Sequence, residues 1–270
     1  MMRLLRIELQ KVRPSRSFKI LASMYLVALF VICVVVMPFL QYLKSRFEDF
    51  DMDGIDPTII PFYEFPDIWQ NITWVAIHLK LLLGFSLIFS VTNEFSYRTI
   101  RQNVIDGLSQ KEFIISKIVM AGFLSLASAA FLFVLGMITG LIYTSDISLG
   151  LMFEDSYFIL IFALQLFTFL VFTLFVGVLI KKSIIAMGVL IFWTMVVENI
   201  AWGRMTYLGY DWIGYVLPVK SINQLVHVPF PKYVFQEVQD YITLPELGAV
   251  LAFLALFYWA TIRLVVKRDL

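Results

Sequence analysis

The sequence predicts an all-α integral membrane protein with six transmembrane helices. Of its 270 residues, 60% are hydrophobic and 15% are charged, whereas soluble domains carry roughly 25% charged residues. Six apolar segments approach or exceed the roughly 20 residues that a helix needs to cross the hydrocarbon core of a bilayer. We therefore expect a single transmembrane domain over residues 1–270. The net charge of +1 gives no reason to expect nucleic acid as a partner.

The predicted spans differ in length. The third is long enough to tilt or to project beyond the bilayer. The fifth is short, and we expect its outer end to be broken near Gly203. The spans are residues 18–40, 73–92, 113–143, 157–180, 184–201 and 247–266.

The lysines and arginines predict the orientation of these spans. Of 21 such residues, 15 fall on the side that holds both termini, five fall on the other side and Lys80 lies within a span. Basic residues accumulate on the cytoplasmic side of membrane proteins. We therefore expect both termini to be cytoplasmic, in a multi-pass protein of the cytoplasmic (inner) cell membrane.

Residues 1–17 form an amphipathic segment ahead of the first span. Leu5, Leu9 and Val12 share one helical face, and Pro14 is expected to end the helix. The basic residues Arg3, Arg6 and Lys11 are available for lipid headgroups. Two compatible interpretations follow: a basic flank that only sets topology, or an interfacial helix that steadies the first span.

The loop between the second and third spans predicts a short amphipathic helix. Ser96 suits the N-cap position, and Gly107 suits the end of the helix. Ser109 and Glu112 then form an S-x-x-E capping box ahead of the third span. A helix this short needs a supporting surface, which is either the lipid interface or a partner protein. The apolar stripe consists of Tyr97, Ile100, Val104, Ile105 and Leu108.

The loop between the fifth and sixth spans, residues 203–246, is too apolar to lie unpacked in water. Prolines divide it into short pieces. It favours short helices that dip onto the outer membrane face or cap the spans, or else an ordinary packed loop.

The sequence contains no pattern that indicates catalysis. No G-x-x-x-x-G-K-[ST] motif is present, so any ATP hydrolysis would belong to another chain. His78 and His227 are far apart and lack the spacing of a zinc site. We therefore expect a non-catalytic chain without a cofactor of its own.

Two charged residues lie inside predicted spans. Lys80 falls in the second span and Glu198 near the end of the fifth. A charge at the bilayer centre costs about 3 kcal/mol on insertion scales, and snorkelling toward the interface lowers that cost. The pair either snorkels or faces one polar cavity, which would make both residues candidates for a translocation path.

Four stretches of the chain resemble ABC-2 type transporter permease subunits, in the branch of short permeases with separate ATPases. These stretches are spread over nearly the whole chain, and the resemblance rests on their order and on the topology. One departure is Arg98, which stands where the family usually has glycine. The family also often has a proline where this chain has residues 106–108. The matching stretches are residues 3–11 ahead of 15–20, the loop Glu94…Thr99…Arg101, the entry Ser109…Lys117, and Leu217-Pro218.

The resemblance implies a half-transporter that pairs with a second permease copy or a paralogue. Two ABC ATPase subunits would bind ATP and dock below it, with residues 94–108 as the coupling helix. The first, second and fifth spans would line the path. Glu94 would fix the junction with the second span, and Thr99 belongs to the family motif. Arg98, Arg101 and Gln102 are expected to make polar contacts with the ATPase, and Tyr97, Ile100, Val104 and Ile105 to form the apolar docking face.

Other functions remain open at this point. A secondary transporter or channel would need no ATPase, but it would require ionisable residues deep in the bilayer, of which this chain has few. A membrane-embedded enzyme would require clustered His, Asp or Ser at the membrane face. A complex that uses ATP to remodel or sense a partner without transport is a third alternative.

Overall fold

A computed structural model describes residues 1–47, 61–97, 107, 109–230 and 241–266. Over these residues the regular structure is entirely helical, and six helices are long and apolar enough to cross a membrane. The predicted class and the number of long helices are therefore confirmed. The long helices are α2 (Arg16–Phe47), α3 (Ile68–Ser96), α4 (Gln110–Tyr143), α6 (Tyr157–Ile180), α7 (Ser183–Tyr207) and α9 (Leu244–Val266).

Three shorter helices accompany them. Helix α1 (Met2–Val12) precedes α2, and α5 (Leu149–Phe153) precedes α6. Helix α8 (Pro218–Gln224) lies between α7 and α9, after a 3-10 turn at Asp211–Tyr215. We call the end of the bundle that holds α1 the near end, and the end that holds α8 the far end.

The helix boundaries differ from the predicted spans where local signals outweigh hydropathy. Helix α6 has the predicted limits. Helix α2 continues past Pro38 to Phe47. Helix α9 begins at Leu244, where Thr243 donates its backbone N–H to the Glu246 carboxylate at 2.8 Å. Because such capping groups satisfy the free backbone N–H groups at a helix end, they determine where the helix begins, which the length of an apolar segment does not.

The prediction that the fifth span breaks near Gly203 is wrong. Helix α7 runs to Tyr207 through that glycine. A glycine inside a helix costs only about 1 kcal/mol relative to alanine, so it does not end a helix that is otherwise supported. The irregularity in α7 lies earlier, in a π-helical turn at Trp193–Val197. Helix α3 has a comparable 3-10 turn at Ile77–Leu79.

Helix α6 forms the centre of the bundle and packs against α3, α4 and α9. In its most apolar stretch of 18 residues, 72% of the residues are buried, compared with 17% in the corresponding stretches of α2 and of α7. Close approach of α4 to α3 and to the turn before it depends on small residues: a Cβ at Gly136 would lie 2.9 Å from the ring of Trp69 in α3, and one at Gly140 would lie 2.3 Å from the ring of Phe65. Small residues allow transmembrane helices to approach closely. The exposed apolar faces of α2 and α7 are those expected of helices with lipid as their solvent.

Candidate functional site

The near end of the bundle contains a buried network of charges that joins three helices. Glu8 and Lys11 come from α1, Glu94 lies two residues before the end of α3, and Lys117 lies in the second turn of α4. We call these four residues the ion network. It surrounds the points where the chain leaves α3 and enters α4.

Lys117 is the centre of the ion network. Its ammonium lies 2.7 Å from the Glu8 carboxylate, donates a second hydrogen bond to Glu94, and donates a third to the Ser90 hydroxyl at 2.9 Å. The Lys117 and Glu8 side chains are fully buried. Three donors on the ammonium therefore meet three acceptors, which is the condition under which a buried lysine is tolerated.

Lys11 completes the ion network one turn along α1 from Glu8. Its ammonium lies 3.0 Å from Glu94 and 3.5 Å from Glu8, and 28% of its side chain is exposed. Ser116 adds a hydrogen bond to Glu8 at 2.9 Å. Two carboxylates and two ammonium groups thus balance, so that the network buries little net charge. Lys11 was predicted to be available for lipid headgroups, and the structure instead engages its ammonium with two carboxylates of the protein.

The sequence places these residues through ordinary helical spacing. Glu8 and Val12 are one turn apart on α1 and are both buried against the bundle. Phe113 and Lys117 are likewise one turn apart on α4 and are both buried. The ring of Phe113 lies 5.7 Å from the Lys117 ammonium and 5.9 Å from that of Lys11, within the range of cation–π attraction.

Both ends of the segment between α3 and α4 are held in this region. At the α4 end, the predicted capping box is confirmed: Ser109 accepts from the Glu112 N–H at 3.2 Å, and Glu112 accepts from the Ser109 N–H at 2.9 Å. At the α3 end, the ring of Phe95 meets Phe113 edge to face with centroids 6.3 Å apart. A displacement of the segment would therefore act on α3, on α4 and, through the ion network, on α1.

Only some of the residues predicted to dock onto an ATPase belong to the part of the chain that the structure describes. Glu94 belongs to the ion network, and Tyr97 follows α3 with 77% of its surface exposed. Ser96 is the last residue of α3, so its predicted role as the N-cap of a separate helix is wrong. The other predicted residues, Arg98, Thr99, Ile100, Arg101, Gln102, Val104 and Ile105, lie outside the described residues.

Glu198 holds the short helix α8 at the far end. Its carboxylate accepts hydrogen bonds from the backbone N–H of Val219 at 3.1 Å and of Lys220 at 2.8 Å. It also accepts from the Trp193 indole at 2.5 Å. The residue before α8 is Leu217, which has no side-chain acceptor, so Glu198 supplies the cap from another helix.

Lys80 reaches the same short helix from α3. It directly follows the 3-10 turn, and its ammonium donates to the Asn223 amide oxygen of α8. The ring of Phe169 in α6 lies 5.0 Å from the ammonium. Lys80 is 3% exposed and Glu198 is fully buried, which does not fit snorkelling. The structure brings the two residues to one helix, and a place for them on a translocation path stays a prediction.

Sequence reasoning missed Glu8 as a functional residue, and it used Lys117 only as a cytoplasmic charge and as the end of the resembling stretch Ser109…Lys117. A signal was available for each. Glu8 is the single acidic residue among the first 47 and lies on the apolar side of α1, and Lys117 lies inside the apolar run of α4. A charge on a face that must be buried requires a partner of opposite sign, but the identity of that partner follows only from the packing of the helices.

Comparison of this chain with protein-family models and with curated proteins finds no match in either.

Proposed function

We propose that this chain is the membrane-spanning permease subunit of an ATP-driven ABC exporter, which pairs with a second permease copy or paralogue and couples to separate ATPase subunits. The observation that carries the proposal is the ion network around both ends of the segment between α3 and α4. This anchor holds the two bases of the segment and α1 together, which a segment that passes force to these helices would require.

The anchor suits the transfer of force. Glu94 and Lys117 connect α3 to α4, and Glu8 and Lys11 connect both to α1. An ATPase that moves the segment would shift these three helices as one body and bias the equilibrium between inward-open and outward-open states. The sequence resemblance and the absence of a P-loop motif from the chain support the same assignment.

The test is capture of the partner followed by an uncoupling variant. The chain carries a photo-crosslinking residue at position 100, is crosslinked in its native membrane, and is purified in mild detergent. We expect a nucleotide-hydrolysing subunit attached at that position. Ile100→Asp should then abolish stimulation of ATP hydrolysis in the complex, because it places a charge in the apolar docking face.

Ile147→Asp is the matched control. Ile147 lies 48% exposed in the loop between α4 and α5, at the far end, so the same new charge is placed away from the segment. The control should retain both the partner and its activity. If no nucleotide-hydrolysing subunit contacts residues 94–108, or if Ile100→Asp behaves like Ile147→Asp, the proposed coupling is wrong.

One observation favours the alternative of a transporter that needs no ATPase. Lys80 and Glu198 are buried charges beside irregular helical turns in α3 and α7, and broken helices with polar groups at membrane depth form the substrate sites of many secondary transporters. Transport that persists in proteoliposomes without any ATPase, and that is lost in Lys80→Met, would favour this alternative.

A further inference from the structure

We propose that the outward face of α1 binds the phosphate of an anionic phospholipid in the leaflet at the near end. The site is a groove of 710 Å³ along this helix, lined by Arg3, Arg6, Arg13, Met2, Leu5 and Leu9. The proposal requires only that the protein spans a membrane, and it is independent of the proposed ATPase partner.

The charge of this face is set by the ion network on the opposite side of α1. Glu8 is the only acidic residue of α1, and it is fully buried and paired with Lys117. Lys11 is likewise engaged by Glu94 at 3.0 Å. The charged side chains that line the groove are three arginines, Arg3 and Arg6 in α1 and Arg13 directly after it, and all three are exposed.

The arrangement of these arginines favours an anion. Arg3 and Arg6 are three residues apart and Arg13 follows seven later, so they share one helical face and repel one another. A phosphate between them removes that repulsion. Guanidinium groups also match phosphate oxygens with paired hydrogen bonds.

The position of the groove identifies the anion as a lipid rather than a free ion. The exposed apolar surface of α2 begins with Ile20, 60% exposed, seven residues after Arg13. The arginines therefore lie at the depth where the hydrocarbon region gives way to headgroups. Met2, 84% exposed, and Leu9, 37% exposed, line the same groove and can enter the acyl boundary, as the apolar residues of interfacial helices do.

The experiment measures binding of dioctanoyl phosphatidylglycerol to the purified full chain in neutral detergent, by native mass spectrometry and by the rise in apparent Tm. Dioctanoyl phosphatidylcholine and inorganic phosphate serve as comparison ligands. We expect selective binding of the phosphatidylglycerol. The triple variant Arg3→Gln, Arg6→Gln, Arg13→Gln should bind it about 100-fold more weakly, at about fivefold for each basic residue lost near an anionic headgroup.

The matched control removes three positive charges outside the groove, in the variant Arg16→Gln, Lys19→Gln, Lys111→Gln. All three of these residues are exposed near the same end of the bundle, so the control changes the net charge equally. It should retain the affinity of the unaltered chain, and the triple Arg→Lys variant of the groove, which keeps the charges but not the paired hydrogen bonds, should bind more tightly than the triple Arg→Gln variant. If the groove triple folds poorly, as judged by its Tm without lipid, the single Arg6→Gln change with its expected fivefold loss decides the question.

Three outcomes would overturn the proposal. Equal losses in the groove triple and in the control would show general electrostatic attraction without a site. Equal stabilisation by inorganic phosphate would show an ion site that is not specific for lipid. Unchanged lipid binding together with loss of a co-purifying protein in the groove triple would assign this face to an acidic protein surface instead.

Discussion

Replacing Lys117 by methionine tests the ion network directly, because methionine keeps much of the side chain's length and removes its charge. The change deletes the ion pair with Glu8 at 2.7 Å, the pair with Glu94 and the hydrogen bond to Ser90 at 2.9 Å. Glu8, fully buried, is then left with Lys11 at 3.5 Å as its one remaining ion-pair partner among the described residues. Breaking a buried pair by removing one partner costs about 3–5 kcal/mol.

The loss should be visible as a lower apparent Tm in detergent, measured by intrinsic fluorescence. For a chain of this size class, 1 kcal/mol corresponds to roughly 2–4 °C, so we expect a decrease of about 6–20 °C. Lys111→Met is the matched control: it makes the same change on the same helix, at an exposed position. It should lower the Tm little, because exposed charges contribute at most about 1 kcal/mol.

A double-mutant cycle separates the ion pair from a general defect. Once Glu8→Gln has removed the buried carboxylate charge, Lys117→Met should cost much less than it does in the unaltered chain. The coupling between the two positions should reach at least about 1 kcal/mol. Additive effects of the two changes, or a Lys117→Met variant as stable as Lys111→Met, would refute the reasoning.

Two further predictions concern packing and the far end of the bundle. Gly140→Ala should lower stability by about 1–3 kcal/mol because its Cβ would overlap the ring of Phe65. Gly188→Ala is the matched control, because nothing lies within 4 Å of the Cβ that it adds, and it should be neutral or stabilising. Equal losses of stability in the two variants, measured in a thermal assay, would contradict the close approach of α4 to Phe65. Glu198→Ala should cost about 1–3 kcal/mol by leaving two backbone N–H groups of α8 without an acceptor. Glu198→Gln, which keeps one oxygen acceptor, should cost less, and an equal loss in both variants would argue against the capping role.

The ion network contributes to both proposed properties of the near end, the coupling of the segment between α3 and α4 to an ATPase and the binding of a lipid phosphate in the groove of α1. By holding Glu8 and Lys11 against α3 and α4, it fixes α1 to the bases of the segment proposed to receive force. It also leaves the three arginines as the charged side chains that line the groove on the outward side of α1. Lys117→Met should therefore weaken both the coupling to an ATPase and the affinity of the groove for phosphatidylglycerol, whereas the groove arginines should affect lipid binding alone.

Much of the fold was predictable because local chemistry determines it. The six long helices follow from apolar length alone, since a helix satisfies its own backbone hydrogen bonds in lipid. The start of α4 follows from Ser109 and Glu112, which bond to each other within one turn. The end of α1 at Val12, ahead of Pro14, also matches the prediction.

The candidate site was only partly predictable, because its contacts join residues far apart in the chain. Glu94 was predicted to fix the base of the segment after α3, but its partner Lys117 is 23 residues away and Glu8 is 109 residues from Lys117. Lys80 and Glu198 were recognised as unusual charges. Their shared target, α8, lies 143 residues from Lys80 in the chain, so no local pattern connects them.

The sequence by itself determined that this chain forms six helices suited to a membrane, because hydrophobic length and capping are properties of neighbouring residues. Only the tertiary structure decided which charges are buried together, that Lys11 of α1 is engaged by the carboxylates of the ion network, and which arginines stay outside. The physical reason is that a buried charge is stable only beside an opposite one, and the packing of α1, α3 and α4 selects that neighbour from distant parts of the chain.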